Sequence, residues 1–138
     1  MNKDLLHHSL TLVDLPDDGL TARFYDILFD RYPQVKPMFS RNTRQQASML
    51  RSAIVSVVDH LDDADWLATT LGTLGARHAG MGVTEPMYGA VAECMVAAMT
   101  EIGGDQWTPE MSEEWTAALG AVASMMLAGY PAGETGAA

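Results

Sequence analysis

Apolar residues recur at the three- and four-residue spacing of an α-helix along most of the chain, and this periodicity constrains the fold more than any other feature. No useful stretch alternates apolar and polar residues, and no hairpin signal such as Asn-Gly joins two β-branched runs. The sequence therefore predicts an all-α protein. Five stripes carry this prediction: Leu20, Phe24, Ile27 and Leu28; Leu50, Ile54, Val57, Val58 and Leu61; Leu67, Leu71, Leu74 and His78; Tyr88, Val91, Met95, Met99 and Ile102; and Trp115, Leu119, Val122 and Met126.

Local start and stop signals divide these stripes into six or seven predicted helices. Thr84 and Thr108 are predicted N-caps, because an acid and a proline follow each of them in the first helical turn. Pro33 and Gly103 mark helix ends, and residues 3–13 form a weaker predicted helix. The two longest helices come last and are joined by a short turn, which predicts an antiparallel pair. A four-helix bundle and a globin sandwich both satisfy this description.

Length and composition indicate one small globular domain. The chain has 138 residues, 48% of them hydrophobic, and we expect residues 1–131 to form the domain and residues 132–138 a flexible tail. No run of about 18 apolar residues is present to span a membrane, and the N-terminal residues do not form a secretion signal. The lone Cys94 allows no internal disulfide. These features predict a cytoplasmic protein.

The charge balance argues against nucleic acid as a partner. Acidic residues outnumber Lys and Arg by 18 to 8, whereas phosphate binding needs clustered cations. Residues 52–138 contain twelve acids and a single cation, Arg77, which directly precedes His78. Two interpretations of Arg77 stay open at this point. It either has a specific role beside His78 or is an ordinary solvated arginine.

Three polar side chains occupy positions that their apolar neighbours place in the interior. His78 extends the apolar stripe of its helix, so its imidazole needs a buried partner. In an ordinary core histidine that partner is a backbone carbonyl or a tyrosine. In a metal-binding histidine it is the metal ion. Tyr25 lies among apolar residues and Gln46 lies one turn before Leu50. The alternative interpretation of Tyr25 is an ordinary core tyrosine, and that of Gln46 is a solvated glutamine.

The helix that carries His78 is intrinsically weak. It contains Gly72 and Gly75 and ends near Gly80. Each interior glycine costs about 1 kcal/mol of helix stability relative to alanine. A bond from His78 to a metal would hold such a helix in place, so this weakness is a hint of metal ligation.

Several segments between about Asp18 and Met126 match one known family in order and spacing. They are Phe24-Tyr25-Asp26, Tyr32-Pro33-Gln34-Val35-Lys36-Pro37-Met38-Phe39, Arg77-His78, Gly82-Val83, Pro86-Met87-Tyr88, and Trp115 with the stripe that follows it. The chain thereby resembles the single-domain bacterial haemoglobins and the globin domain of flavohaemoglobins. The resemblance implies a globin fold, which is a three-over-three helical sandwich with a haem pocket, and haem b as the cofactor.

The resemblance also implies roles for individual residues. His78 corresponds to the proximal haem ligand and Tyr88 to the tyrosine that supports it. Tyr25 corresponds to the distal tyrosine that stabilises a bound gas, and Gln46 to the distal glutamine if about three residues are deleted before it; Gln45 is the alternative. The remaining expected haem contacts are the apolar walls Phe39, Leu50, Val57, Leu74, Met95 and Met126, and a propionate partner among Arg77, Arg41 and Arg44.

One departure from the flavohaemoglobins bears on function. Their glutamate late in the last helix has no acidic counterpart in Leu127-Ala128-Gly129-Tyr130, and the sequence ends where their reductase domain would begin. The resemblance then implies a monomeric or homodimeric protein that binds dioxygen, nitric oxide and carbon monoxide. A nitric oxide dioxygenase that depends on a separate reductase is the first alternative, and a haemless globin-like sensor is the second.

Overall fold

The computed structural model describes residues 1–39 and 42–131, and all regular structure within these ranges is helical. The predicted tail at 132–138 lies outside the described residues, while the all-α prediction is confirmed. Six α-helices are present in the described ranges: α1 (Lys3–Val13), α2 (Gly19–Arg31), α3 (Thr43–Asp59), α4 (Ala64–Gly80), α5 (Glu85–Gly103) and α6 (Pro109–Ala128). Short 3-10 segments occupy Pro16–Asp18, Pro33–Met38 and Gly104–Gln106.

The helix ends fall where the local signals place them. Thr84 and Thr108 are the N-caps of α5 and α6, and the Thr108 hydroxyl accepts a hydrogen bond from the Met111 backbone N–H at 3.3 Å. Helix α2 ends at Arg31, two residues before Pro33. Gly104 follows α5 with a φ of 54°, a conformation that glycine adopts without steric cost.

The six helices form the three-over-three sandwich that the resemblance implies. Helices α2, α5 and α6 make one layer, in which α5 packs against both of the others. Helices α1, α3 and α4 make the second layer. The principal contacts between the layers are those of α2 with α3 and those of α4 with α6. Within the described ranges no helix is long and apolar enough to cross a bilayer.

The buried apolar residues of the described chain form two separate clusters. The larger cluster joins α1, α2, α5 and α6 and includes Phe24 and Met95, which are each 1% exposed. The Trp115 indole N–H donates to the buried Ser9 hydroxyl at 2.8 Å within this cluster. The smaller cluster lies between α4 and α6 and is built from Leu67, Leu71 and Met126. Helix α3 contributes half-buried residues to both clusters, so it spans the boundary between them.

Two polar contacts fix α3 against the first part of the chain. The buried Thr21 hydroxyl donates to the Ala47 carbonyl at 2.8 Å, which joins α2 to the first turns of α3. Arg51 binds the Asp14 carboxylate with two nitrogens, at 3.0 and 2.8 Å. This guanidinium holds the pKa of the Asp14 carboxyl below its usual value. These contacts orient the face of α3 that carries Gln46 and Leu50.

The glycines of α4 have a packing role that sequence reasoning did not assign to them. A Cβ at Gly75 would overlap the backbone carbonyl of Met126 on α6, and a Cβ at Gly129 would overlap the carbonyl of Gly72. The backbones of α4 and α6 therefore touch at both positions, a separation that only glycine allows. This contact, made within the protein itself, stabilises the weak helix that carries His78.

Candidate functional site

His78 occupies the last turn of α4 with a half-buried side chain. Its Nδ1 lies 2.9 Å from the Leu74 carbonyl oxygen. Since a carbonyl only accepts hydrogen bonds, Nδ1 must carry the proton, and the lone pair of the neutral ring is on Nε2. This is the carbonyl partner of an ordinary core histidine, yet it also fixes the tautomer and ring orientation that metal ligation requires.

Tyr88 lies beside His78, and Tyr130 contacts Tyr88. The Tyr88 ring is 6.4 Å from the His78 ring between centroids, with planes 30° apart. The Tyr88 hydroxyl lies 2.9 Å from the Tyr130 hydroxyl, which donates to the Val83 carbonyl at 2.8 Å. Burial and the bond to Tyr130 both raise the pKa of Tyr88 above its usual value. Sequence reasoning named Tyr130 only within the stretch that lacks an acidic residue and so missed this contact.

Tyr25 lies in a cluster of aromatic rings on α2 and the segment that follows it. Its ring is 5.3 Å from the Phe39 ring and 5.7 Å from the Phe29 ring, centroid to centroid. The residue is 6% exposed, and its hydroxyl forms no hydrogen bond to the described part of the chain. Burial raises the pKa of Tyr25 to about 12, so the phenol keeps its proton at physiological pH. The side chain is therefore a neutral hydrogen-bond donor with its proton uncommitted.

Helix α3 lies between Tyr25 and His78 in the sequence. One face of this helix is half-buried. Gln46 is half-buried and Gln45 is exposed, which favours Gln46 as the glutamine that points inward. No hydrogen bond joins Gln46 to Tyr25 among the described residues. Only Ala47 and Val58 of the 17 residues in α3 are fully buried. The stripe of Leu50, Ile54 and Val57 remains half-buried, and such an apolar face is available to a flat apolar group.

The predicted wall residues divide between the two core clusters. Phe39, Leu50 and Met95 belong to the larger cluster or pack against it. Val57, Leu74 and Met126 belong to the smaller cluster or pack against it. Met95 and Met126 are 1% and 6% exposed and lie deepest, whereas the other four are half-buried. The structure therefore distributes the six residues over both clusters, and their contacts with haem stay a prediction.

The candidate propionate partners differ in their surroundings. Arg44 and Arg77 are exposed and have neither an ion pair nor an aromatic partner in the described part of the chain. Arg41 lies outside the described residues. The other described cations are engaged: Lys3 with Asp62, Arg23 with Glu101, Arg31 with Glu93, Arg51 with Asp14, and Lys36 over the Phe29 ring. Arg44 and Arg77 thus remain free to meet an anionic group.

These residues fit the chemical requirements of haem. A haem needs one axial nitrogen, apolar contacts on both faces and a cation near its propionates. His78 offers Nε2, which carries the lone pair when Nδ1 bears the proton of the neutral ring, the half-buried side chains of α3 and α4 offer apolar surface, and two free arginines are available. An all-α sandwich with a single axial imidazole is the architecture of a haem-binding globin.

The comparison with protein families supports this class. Residues 22–126 match the family model described as Globin, and the chain belongs to the globin family. A flavohemoprotein of Pseudomonas putida is 26% identical over 129 residues, which cover 89% of this chain and 32% of that protein. A flavohemoprotein of Schizosaccharomyces pombe is also 26% identical and is covered to 30%. The chain therefore spans about a third of the length of these curated relatives.

Solved structures show the same fold at lower identity. A bacterial globin from Campylobacter jejuni superposes with a TM-score of 0.76 at 23% identity, over 90% of each chain. The myoglobin of Aplysia limacina superposes with a TM-score of 0.81 at 17% identity, over 92% of this chain and 94% of that one. The predicted three-over-three globin fold is confirmed by these similarities.

Proposed function

We propose that this chain is a haem b globin that binds dioxygen reversibly, with His78 as the axial ligand. The observation that carries the proposal is the hydrogen bond from His78 Nδ1 to the Leu74 carbonyl, because it orients the ring and makes Nε2 the nitrogen with the lone pair in the neutral tautomer. Membership of the globin family and the apolar face of α3 support the same interpretation.

Haem would supply a ferrous iron that binds a diatomic gas. His78 would hold the group from the proximal side, and Phe39, Leu50, Val57, Leu74, Met95 and Met126 would exclude water from its faces. Arg77 or Arg44 would neutralise a propionate. On the distal side, the uncommitted Tyr25 hydroxyl would donate a hydrogen bond to the gas ligand, with Gln46 in support. Nitric oxide and carbon monoxide fit the same pocket.

The remaining parts of the proposal concern the setting of the protein. The excess of acidic residues and the lone buried Cys94 support a cytoplasmic monomer or homodimer that binds neither nucleic acid nor membrane. An acidic surface also suits a basic protein partner, such as a separate reductase.

Nitric oxide dioxygenase activity is the second candidate function. It is favoured by the similarity to flavohemoproteins, of which this chain covers only about a third. The reaction would then need electrons from a reductase. Consumption of nitric oxide that rises in proportion to added reductase supports this candidate, while stable gas binding without turnover supports the first.

Hemin titration of the purified protein tests the proposal directly. We expect stoichiometric uptake of one hemin per chain with a sharp Soret band, and reversible spectral change when the reduced protein is exposed to dioxygen. A protein that stays colourless and does not take up hemin would instead be the haemless sensor that the sequence left open.

Tyr25→Phe tests the distal part of the proposal. Hydrogen bonds to charged or strongly polarised groups contribute about 1.5–3 kcal/mol, and about 1.4 kcal/mol corresponds to a factor of ten. We therefore expect dioxygen to dissociate at least about tenfold faster, as measured by stopped-flow mixing. Tyr32→Phe is the matched control, because the Tyr32 hydroxyl donates to Glu93 instead. Equal dissociation rates in wild type and Tyr25→Phe would remove Tyr25 from the mechanism.

A further inference from the structure

An open groove lies between α5 and α6 on the surface of the sandwich. Its volume is about 610 Å³, within the range of roughly 300–1,000 Å³ that is usual for binding pockets. Residues between 85 and 96 of α5 and between 116 and 127 of α6 line it, so it follows about three helical turns, or roughly 17 Å. Tyr88 lies at its edge, but none of the predicted haem walls lines it. The groove is therefore a feature separate from the haem site.

Two exposed glycines, Gly89 of α5 and Gly120 of α6, line this groove without a packing reason inside the protein. A Cβ at either position would meet no atom within 4 Å, whereas a Cβ at Gly75 would overlap backbone. Each interior glycine costs its helix about 1 kcal/mol relative to alanine. No contact within the described chain requires glycine at these two positions. What the two glycines do is keep the groove open.

The surface of the groove beside these glycines is apolar. Its half-buried apolar side chains are those of Ala92, Val96, Leu119, Ala123 and Leu127. Apolar surface that a partner covers is removed from water, which stabilises the complex. The element that fits a straight groove between two antiparallel helices is a third helix, which lays its apolar face into the groove.

The charges along the groove are negative. Helices α5 and α6 contain three glutamates each and no lysine, arginine or histidine. Glu93 is already bound to Arg31 of α2 at 2.9 Å, while the exposed Glu85 and Glu113 form no ion pair with the described part of the chain. Glu113 lies one turn before Thr116, on the same face of α6. These charges favour a basic occupant, and they disfavour a second copy docked through its own groove, since glutamates would then face glutamates.

We propose that the groove between α5 and α6 is the docking site for a basic amphipathic helix of a partner protein. About three turns of that helix lie in the groove, with apolar side chains in the space beside Gly89 and Gly120. Its lysines and arginines lie over Glu85 and Glu113. This inference goes beyond gas binding and does not rest on it, because it uses only the surface of α5 and α6.

Fluorescence anisotropy of a labelled peptide mixed with the full chain tests the proposal. The probe is a helical peptide of about 18 residues, or five turns, with alanine and leucine on one face and lysine on the other. The control peptide has glutamate in place of each lysine. We expect micromolar binding of the lysine peptide alone, weakening between about 0.01 and 0.15 M salt because the Debye length falls from about 30 to about 8 Å. No binding of the lysine peptide at low salt, or equal binding of both peptides, would overturn the proposal.

Gly120→Leu tests the location of the site. Its side chain fills the groove, and since no atom lies within 4 Å of the new Cβ the fold has room for it. We expect the lysine peptide to bind at least about tenfold more weakly. Gly89→Leu fills the groove from α5 and should have the same effect, so it decides the question even where Gly120→Leu does not fold. Ala68→Leu, which adds an exposed leucine to α4 in the other layer, is the control. Wild-type affinity in the two glycine variants would overturn the assignment.

A pair of charge variants separates a specific site from general attraction to an acidic protein. Glu113→Gln and Asp59→Asn each remove one exposed negative charge, the first beside the groove and the second at the end of α3. We expect weaker binding in Glu113→Gln only, and equal weakening in both would contradict a defined site. Sedimentation of the chain alone completes the test: a dimer that Gly120→Leu dissociates would make the groove a contact between copies and overturn the partner helix. All these measurements work without hemin, so a protein that fails to bind haem still decides the docking proposal.

Discussion

Gly75→Ala is expected to lower the free energy of unfolding by about 3 kcal/mol or more, the upper end of the cost of inserting a methyl group into packed structure. The added Cβ would overlap the carbonyl oxygen of Met126, and its next two nearest atoms are also backbone atoms of Met126. Met126 lies in the last turn of the 20-residue helix α6, and its carbonyl, which accepts a hydrogen bond from the Gly129 N–H at 3.1 Å, is unable to rotate aside as a side chain would. Helices α4 and α6 must then separate, and His78 moves with α4.

Gly72→Ala is the matched control for this prediction. It lies one turn earlier in the same helix, and a Cβ there would meet no atom within 4 Å. Alanine is the better helix former by about 1 kcal/mol, so this variant should be as stable as wild type or slightly more so. Thermal unfolding measures both, with a loss of roughly 10 °C expected for Gly75→Ala. Equal melting temperatures for the two variants would contradict the backbone contact between α4 and α6.

The architecture was accessible from the sequence because its determinants are local. The apolar stripes identify each long helix, and Thr84 and Thr108 set the starts of α5 and α6 through contacts within a few residues. Choosing between a bundle and a sandwich needed more than periodicity. The resemblance supplied that choice, and the structural similarities confirm it.

The candidate site was less accessible because its contacts join residues far apart in the sequence. His78 stood out as a polar residue on an apolar stripe, but the contact between Tyr88 and Tyr130 spans 42 positions. The one available signal for Tyr130 was the missing acid in residues 127–130, which marked this stretch without predicting the contact. Gly75 was considered only for its cost to the helix, and its close packing against the Met126 backbone became visible only in the structure.

His78→Gly is expected to abolish specific hemin uptake, an effect at least as large as any single change in the pocket. The histidine offers the one axial nitrogen that the described structure orients with a backbone hydrogen bond on α4. Its removal leaves the apolar walls, which bind a porphyrin but supply no ligand to its iron. We therefore expect the sharp Soret band to be lost on hemin titration and to return when free imidazole is added, because the small molecule fills the space of the deleted ring.

His60→Gly is a demanding control for His78→Gly, because the two histidines share their local chemistry. His60 is also half-buried at a helix end, with its Nδ1 2.6 Å from the Ser56 carbonyl four residues earlier, and its ring stacks on Trp66. If any half-buried histidine of this kind sufficed, the remaining histidine would bind hemin in each variant, and neither variant would lose hemin. We expect only His78→Gly to do so, since His60 lies in the acidic turn between α3 and α4, whereas His78 lies beside Tyr88. An unaltered Soret band in His78→Gly would show that another group binds the iron.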